Sequence, residues 1–594
     1  MLIHHVTDNA FSKSVFSLLA IFTLLVIACG SPAATATPLT SDNSTNPQPT
    51  ATAARPSAGD IVSTPTPASL ATATPQPAET SGEVVSAKDS IVLVTPLEPD
   101  TLGAWDDCGP NVVGFVCTDA TVDPLTWIDN NFREVVGTSG TESWEQLDPD
   151  RWRFHLREGV KFQTGEPWNA AAAKRGIDIN GTPGELEGYS FHGDIEGEIV
   201  DDMTIDVQCL DNDRAPEACP IFPRTAAWTS FQAPEWYDSA TEDERIRRTL
   251  GFGPYRMLDW EPSVKITLEA YEDYLPNPVS EEMAAPTIQN ATQIWRNEEV
   301  VRAAMVQTGE ADWAADMGFD STDSVPKVAS GFNNEIFALL IDTVWHPELR
   351  KKEVRMALAH AINCEALVNA LYGGLVECWG NMSAEGTAGI TPENSAPYEY
   401  NPEMAKQLLE EAGYDPANEI KLYTRDGRVQ KDVEFYEGVI GYWREIGVNV
   451  SLNIIENSVN SQLNQTGCGR TEDPIRCHEF GPPPQYNASP HTIFTATSNE
   501  ILDYSRQARL RSSCFATRSK ICDHELERLM EEADPIPLGP ERTAALEAIA
   551  TRVHDEYYYI PHYQVTVVYG LAENLEWTPR YDPRVRVNAM RFTQ

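Results

Sequence analysis

The chain has 594 residues, with 44 basic against 89 acidic side chains and a formal net charge of −45 at neutral pH. Such an excess of carboxylates repels phosphate backbones and anionic headgroups, which excludes nucleic acid as a partner and sustained contact with an anionic lipid surface. It does not by itself call for a cationic ligand, because most of these acids are solvated surface, and the length leaves room for two or three domains with their own hydrophobic cores.

Taken in chain order, the first signal is a mostly apolar stretch at residues 16–28, preceded by Lys13 as the only lysine or arginine. A dozen apolar residues are too short for a comfortable membrane span and suit the core of a signal peptide. Leu25-Val26-Ile27-Ala28-Cys29-Gly30 then resembles the lipobox of bacterial lipoproteins, so residues 1–28 are expected to be removed and Cys29 to carry lipid. Ordinary secretion with an unpaired Cys29 is the alternative. Residues 29–85 are rich in Thr, Pro, Ala and Ser, with few aromatics and little charge. Such a segment buries too little apolar surface to fold, and it reads as a disordered tether that holds the body off the membrane.

The other ten cysteines fall in five close pairs: Cys108 with Cys117, Cys209 with Cys219, Cys364 with Cys378, Cys468 with Cys477, and Cys514 with Cys522. Partners lie within fourteen residues of each other, far closer than members of different pairs. An even, locally paired set is the usage of an oxidising compartment. The alternatives are ten free buried thiols, or zinc, whose structural sites usually begin with two cysteines two to four residues apart.

The body alternates strand and helix signals. Ser90-Ile91-Val92-Leu93-Val94, Val264 to Leu268, Val448 to Leu452 and Gln564 to Tyr569 read as strands. Asn297 caps a helix that Gly309 ends, and Asn401-Pro402 opens one that Gly413 ends. Val354, Leu358, Ala361, Ile362 and Leu367 give a helical apolar stripe between Lys351 and Leu371. Trp152, Phe154, Leu156, Val160 and Phe162 read as strand, turn at Glu158-Gly159, and strand. Gly251 and Gly253 suit a tight turn with close backbone approach; the third glycine of a dinucleotide loop is missing. Arg355 reads either as a ligand contact or as a structural ion pair. Strands separated by helices of ten to twenty residues define an α/β protein with mixed sheets.

These motifs also come in a known order. Ser143-Trp144-Glu145 and Trp152 to Phe162 lead through Thr164-Gly165-Glu166-Pro167-Trp168-Asn169-Ala170 into a helix. There follow Gly251-Phe252-Gly253-Pro254-Tyr255 with Trp260 and Tyr271-Glu272-Asp273-Tyr274, then Gly309-Glu310-Ala311-Asp312. Val354 to Ile362, Ala405 to Tyr414 and Tyr559-Ile560-Pro561-His562-Tyr563 complete the series. In this the chain resembles the family 5 extracellular solute-binding proteins, the oligopeptide, dipeptide and nickel binders that feed ABC importers. The resemblance implies an α/β periplasmic-binding-protein type II fold, two lobes on a two-crossing hinge with a small extra subdomain. Lobe I would take residues 86–337, with the subdomain at about 122–235, and return at 561–594. Lobe II would take 338–560, and the hinge would lie near 337–343 and 559–565. Two cysteine pairs would then lie in lobe I and three in lobe II, leaving the hinge free. Expected partners are a small solute or peptide, the permease subunits with their ATPase, and the membrane through the Cys29 lipid alone, with the protein a monomer on the outer face of the cytoplasmic membrane.

In peptide binders of this family an acid within an Asp-Tyr-x-Asp-Pro-like stretch of lobe II holds the ligand's α-amino group. Here the corresponding residues are His478-Glu479-Phe480-Gly481-Pro482-Pro483-Pro484-Gln485-Tyr486-Asn487, without those aspartates. Glu479 is the candidate ammonium partner, with an ordinary surface acid as its alternative reading. Trp105, Phe480 and Tyr486 are candidates to line an apolar or sugar-stacking cleft, with Asn487 and Arg425 as polar anchors. Each also reads as packing or loop surface. His478 and His491 with Glu479 make too thin a ligand set for a metal, and no metal or cofactor is expected. A nucleophile elbow, an H-E-x-x-H helix and a P-loop are all missing, and His524-Glu525 lacks its second histidine, which argues against an enzyme. The competing readings are an oligosaccharide-binding or sensory member of the same fold, and a secreted glycan hydrolase with paired carboxylates.

Overall fold

The computed structural model describes residues 88–99, 101–102, 119–131, 133–181, 193–211, 214–425, 429–456, 459–460, 463, 492–516, 518–582 and 584–593. All belong to the second of the chain's two units, Glu83–Gln594; the first is Met1–Gly82. The expected signal, Cys29, the whole tether, and the pairs Cys108–Cys117 and Cys468–Cys477 lie outside the described residues.

Ten strands form one sheet. Its order is Val450–Ile454, Ile420–Thr424, Thr492–Ser498, Lys327–Ile341, Tyr559–Leu571, Trp313–Ala314, Ser90–Thr95, Asn290–Trp295, Lys265–Ala270 and Tyr255–Glu261. The two long central strands, 15 and 13 residues, run antiparallel and cross from one flank to the other. Helices packed on each flank make two lobes. The mixed sheets expected of the two lobes are continuous with each other, because both crossing strands are long enough to run through the two of them. The register of the crossing breaks twice. Between Phe332 and Ile336 the chain takes up Asn334 at φ 59°, a left-handed conformation that asparagine adopts more readily than most residues. Between Phe337 and Ala338 the partner strand takes up the extra residue His562, next to Pro561, which has no N–H for the ladder.

Alternation along the first crossing strand splits the second lobe's core. Phe337, Leu339 and Ile341 face helices Lys352–His360, Cys364–Tyr372 and Asp432–Glu445, whereas Ile336, Ala338 and Leu340 face helices His524–Ala533 and Pro540–Asp555. A separate four-stranded sheet, ordered Thr141–Asp148, Arg151–Leu156, Thr204–Leu210 and Asp194–Asp201, packs with helix Ala170–Asn180 around Phe154, Phe162 and Trp168. Asn169 caps that helix by accepting from the Ala172 N–H at 3.0 Å.

The chain's end is pinned to the first lobe by buried ion pairs. Arg580 holds Asp582 at 2.7 Å and also Glu282, Arg584 holds Asp119 at 2.6 Å, and Arg586 holds Asp123 at 2.7 Å. The three guanidinium groups lie 4.1 to 4.4 Å from the ring centroid of Trp127.

Several sequence readings are met closely. Asn401 caps helix Pro402–Glu411, and Gly309 ends helix Glu299–Thr308 at φ 78°. A Cβ on Gly253 would stand 2.5 Å from the Thr121 carbonyl carbon, so the close approach there is real. Arg355 is structural: it donates to the carbonyls of Leu349, Arg350 and Glu556. Three readings are corrected. Helix Glu299–Thr308 is capped by Glu298, without a side-chain bond, and not by Asn297, whose carbonyl accepts from the Arg302 guanidinium at 2.6 Å. The stripe from Lys351 to Leu371 is two helices, because Asn363 caps a new one by accepting from Ala366 N–H. After the Glu158-Gly159 turn there is no second strand, because Phe162 N–H closes a local turn onto Glu166. Disulfides Cys209–Cys219, Cys364–Cys378 and Cys514–Cys522 are formed as paired by spacing.

Candidate functional site

In open α/β sheets ligands bind beyond the carboxyl ends of the strands. Here both flanks point such ends toward the crossing. Ser90–Thr95 runs parallel to Asn290–Trp295 in the first lobe, and Ile420–Thr424 runs parallel to Val450–Ile454 in the second. Pro96 and Asn297, just past the first pair, line the same cavity as Val429, Gln430, Lys431 and Asp432, which follow Ile420–Thr424. The cavity measures about 660 Å³, a volume in the range of small-molecule sites. Its floor is the crossing itself: Asn333 and Glu335 from one long strand, Tyr563 and Val565 to Val568 from the other.

The chemistry of the walls is mixed. Tyr372, from helix Cys364–Tyr372, donates to the Gln430 carbonyl at 3.0 Å and shares a 2.9 Å hydroxyl contact with Tyr563. Since Tyr372 spends its proton on the carbonyl, Tyr563 donates to Tyr372. Burial pushes both phenols above the ordinary range, so they stay neutral hydrogen-bonding groups. Arg302 is 3% exposed, and its guanidinium is held by the carbonyls of Ala315, Asp316, Arg296 and Asn297. The wall therefore offers phenols, valines and carboxylates, while its buried arginine is tied to the backbone.

The irregular piece of the crossing strand is anchored to the second lobe. Asn334 donates through its amide to the Asn499 carbonyl, and Asn499 donates to Ser383 Oγ at 3.1 Å and the Asp503 carbonyl at 2.9 Å. The lobes also touch beside the other sheet face. Tyr581 donates to the Glu500 carbonyl at 3.2 Å and Arg224 to the Ile501 carbonyl at 3.3 Å. Arg133 lies 4.7 Å over the Tyr581 ring and donates to the Glu385 carbonyl at 3.4 Å.

Of the six candidate ligand residues, only Arg425 is described. It stands one position past Ile420–Thr424, half-buried, and does not line the cavity. Trp105, Glu479, Phe480, Tyr486 and Asn487 lie outside the described residues. The residues that do line the cavity include Tyr372, Gln430, Asn333 and Phe319, none of which stood out in the sequence. Tyr563 did stand in a landmark, though as scaffold. Among the described residues no three or more His, Cys, Asp or Glu side chains are placed to hold a metal ion, and no helix is long and apolar enough to cross a membrane.

Two lobes on a two-strand crossing, with a cavity between facing carboxyl edges, define a binding protein of the type II periplasmic class. The chain belongs to the bacterial extracellular solute-binding proteins of family 5, whose middle region matches residues 138–469. It is accordingly an extracytoplasmic transport binding protein and not an enzyme. The glutathione-binding protein GsiB of Salmonella typhimurium is 25% identical over 427 residues, 65% of this chain and 77% of that protein. Among solved structures, the ABC transporter substrate-binding protein CtaP of Listeria monocytogenes superposes with a TM-score of 0.71 at 17% identity, covering 86% of this chain and all of that one. DppA of Helicobacter pylori, in complex with the peptide STSA, gives 0.63 at 19% identity, covering 86% and 99%.

Proposed function

We propose that the protein captures a short peptide or similar small solute between its lobes and delivers it to the permease of an ABC importer, whose ATPase is a separate subunit. The observation that supports this reading most is the cavity of about 660 Å³, floored by both crossing strands and walled by carboxyl edges of both lobes. That volume suits a peptide of a few residues. The relatives point the same way: GsiB is named for glutathione, itself a tripeptide, and DppA holds STSA.

In this reading lobe I comprises residues 86–337 and 561–594 with a subdomain at about 122–235, and lobe II comprises 338–560. The hinge lies near 337–343 and 559–565, where the two long strands cross and the register shifts between Phe337 and Ala338. No described disulfide links the lobes, so closure is unhindered by them. Residues 1–28 are removed, Cys29 carries lipid, and residues 29–85 are the tether of a monomer that faces away from the cytoplasm. Trp105, Glu479, Phe480, Tyr486 and Asn487 contact ligand, with Glu479 taking its ammonium group, and Arg425 reaches it from beyond the cavity's described lining. Closure extends only as far as the ligand's preference for the closed form allows.

The test is a pair of mass spectra, native and denaturing, of the protein purified from an oxidising compartment. Released masses spaced by amino-acid residues support peptide capture. A released sugar or metal complex overturns the ligand class, and a bare protein that then retains nothing from a di- to tetrapeptide pool overturns the capture itself.

A further inference from the structure

One side chain of the first lobe belongs to two cores at once. Phe319 packs against the cluster around Val94, Ala303, Met317 and Val568, and also against the second lobe's core around Phe337, Tyr372 and Tyr436. No other described residue is shared by these two clusters. Its ring lies 5.1 Å from that of Tyr372, the phenol that walls the cavity. On either side of the ring the second lobe grips the first through the backbone. The Gln430 side-chain amide donates to the Met317 carbonyl at 3.1 Å, and its oxygen accepts from the Phe319 N–H at 3.3 Å. Next to it Lys431 pairs with Asp320 at 3.0 Å.

Both halves of this contact are built rigidly by their own lobes. On the first-lobe side, Arg302 fixes the backbone by donating to the carbonyls of Ala315 at 3.1 Å and Asp316 at 2.6 Å. Glu299 accepts from Ser321, and its carboxylate fills the space beside Gly318, where a Cβ would come within 2.4 Å. On the second-lobe side, Lys431 sits at φ 59°, a left-handed conformation costly for lysine, and its ammonium donates to the Leu371 carbonyl at 2.8 Å. Asp432 accepts from Val429 N–H at 3.2 Å, and Tyr372 holds the Gln430 carbonyl. A strained turn, pinned on three sides, thus presents one carboxamide to a peptide unit of the opposite lobe.

We infer that Phe319 and Gln430 form a closure latch: Phe319 plugs into the second lobe and Gln430 clamps the backbone around it, so that the latch sets the closed fraction before any ligand arrives. This rests on the lobe-closure reading above. Gln430 is a positioning residue here, because its amide is engaged with protein backbone. The apparent dissociation constant of a ligand equals its intrinsic value divided by the closed fraction. The latch therefore scales affinity for every ligand alike, and selectivity stays with the cavity.

The experiment measures the distance between one label on each lobe, at the exposed positions Asp273 and Glu437, attached through non-natural residues that leave the cysteines untouched. The full chain is used without ligand, and distance distributions are compared for the native protein, Gln430→Ala, Phe319→Ala and Asn334→Ala in the crossing strand. The expected result is a short-distance population in the native protein. Its ratio to the long-distance population falls about tenfold in Gln430→Ala, which loses two hydrogen bonds, and at least as far in Phe319→Ala. Circular dichroism checks that each variant is folded, and the exposed Gln430→Ala stands as the test if Phe319→Ala is not. Two populations in an unchanged ratio overturn the latch and leave closure standing. A native protein that shows only the long distance also overturns it. A single narrow distance in every variant, including Asn334→Ala, overturns lobe closure and the latch with it.

Discussion

Replacing His562 with leucine should remove most of one pH dependence from the protein's stability. His562 lies on the second crossing strand and is 1% exposed. Its ring is surrounded by Phe337, Phe435 and Tyr436 at centroid distances of 5.7, 4.9 and 5.6 Å. Tyr436 spends its hydroxyl proton on the Ala338 carbonyl, and the imidazole Nε2 has no hydrogen-bonding partner among the described residues. Burial pushes its pKa from 6.5 down to about 3. Between those values the unfolded chain binds a proton that the folded chain refuses, so stability falls as pH falls below about 6.5 and levels off only below about 3. At pH 4.5, two pH units under the unfolded value, the loss relative to pH 8 is about 3 kcal/mol, at about 1.4 kcal/mol per unit. Urea unfolding at pH 8 and pH 4.5 measures it. His562→Leu keeps the volume, drops the orphan nitrogen, and should be neutral or slightly stabilising at pH 8. Between pH 8 and pH 4.5 the variant should lose about 3 kcal/mol less than the native protein. An equal loss in the two proteins would place the acid sensitivity in other groups and not in His562.

Asp123→Ala strips Arg586 of its carboxylate in the first lobe's interior, and Ser139 and Tyr274 lose their acceptor too. A cost of about 3–5 kcal/mol is expected from the stranded charge, read as a lower urea midpoint; a loss under 1 kcal/mol would show that the pair is solvated. Reducing Cys364–Cys378, or replacing both cysteines with serine, should cost about 3 kcal/mol. It should also loosen Tyr372 and Val376, which lie inside the loop that this bond closes onto the second crossing strand through Cys378 opposite Tyr563. Melting curves with and without reductant would match if that loop held without its bond. Gly253→Ala drives a methyl group into the Thr121–Val122 peptide, with contacts of 2.5 and 2.6 Å, and should cost about 1–3 kcal/mol or more. A variant that melts with the native protein would mean that the segment carrying Thr121 yields.

Local signals were legible in the sequence where short-range chemistry decides them. The cap at Asn401 and the stop at Gly309 depend on neighbours within a turn, and each stands where its residue type demands, whereas the cap expected at Asn297 falls one residue later, on Glu298. Disulfide partners were legible because each described pair closes a loop of at most fourteen residues. The break at Asn363 was hidden because Ala361 and Ile362 continue the apolar stripe across it and are buried on both accounts. The missing strand after Gly159 was hidden because Val160 and Phe162 are buried by a turn as well as by a ladder. The cavity was the least legible part. Tyr372, Gln430, Phe319 and Asn333 come from four separate segments, and only the crossing of two strands more than two hundred residues apart brings them together. Nothing in the spacing of Gln430 within its own segment distinguishes it from a surface glutamine.

The protein's function as proposed rests on its lobes closing on a small solute in the cleft. Small-angle scattering of the full chain, dialysed and then titrated with a pool of di- to tetrapeptides, tests it most directly when the retained peptides are identified in the same sample. Retained peptide together with a smaller radius of gyration is expected, and both are lost in a variant with Tyr372→Trp filling the cavity. Retained peptide with an unchanged radius, or a pool that leaves nothing on the protein, would contradict it.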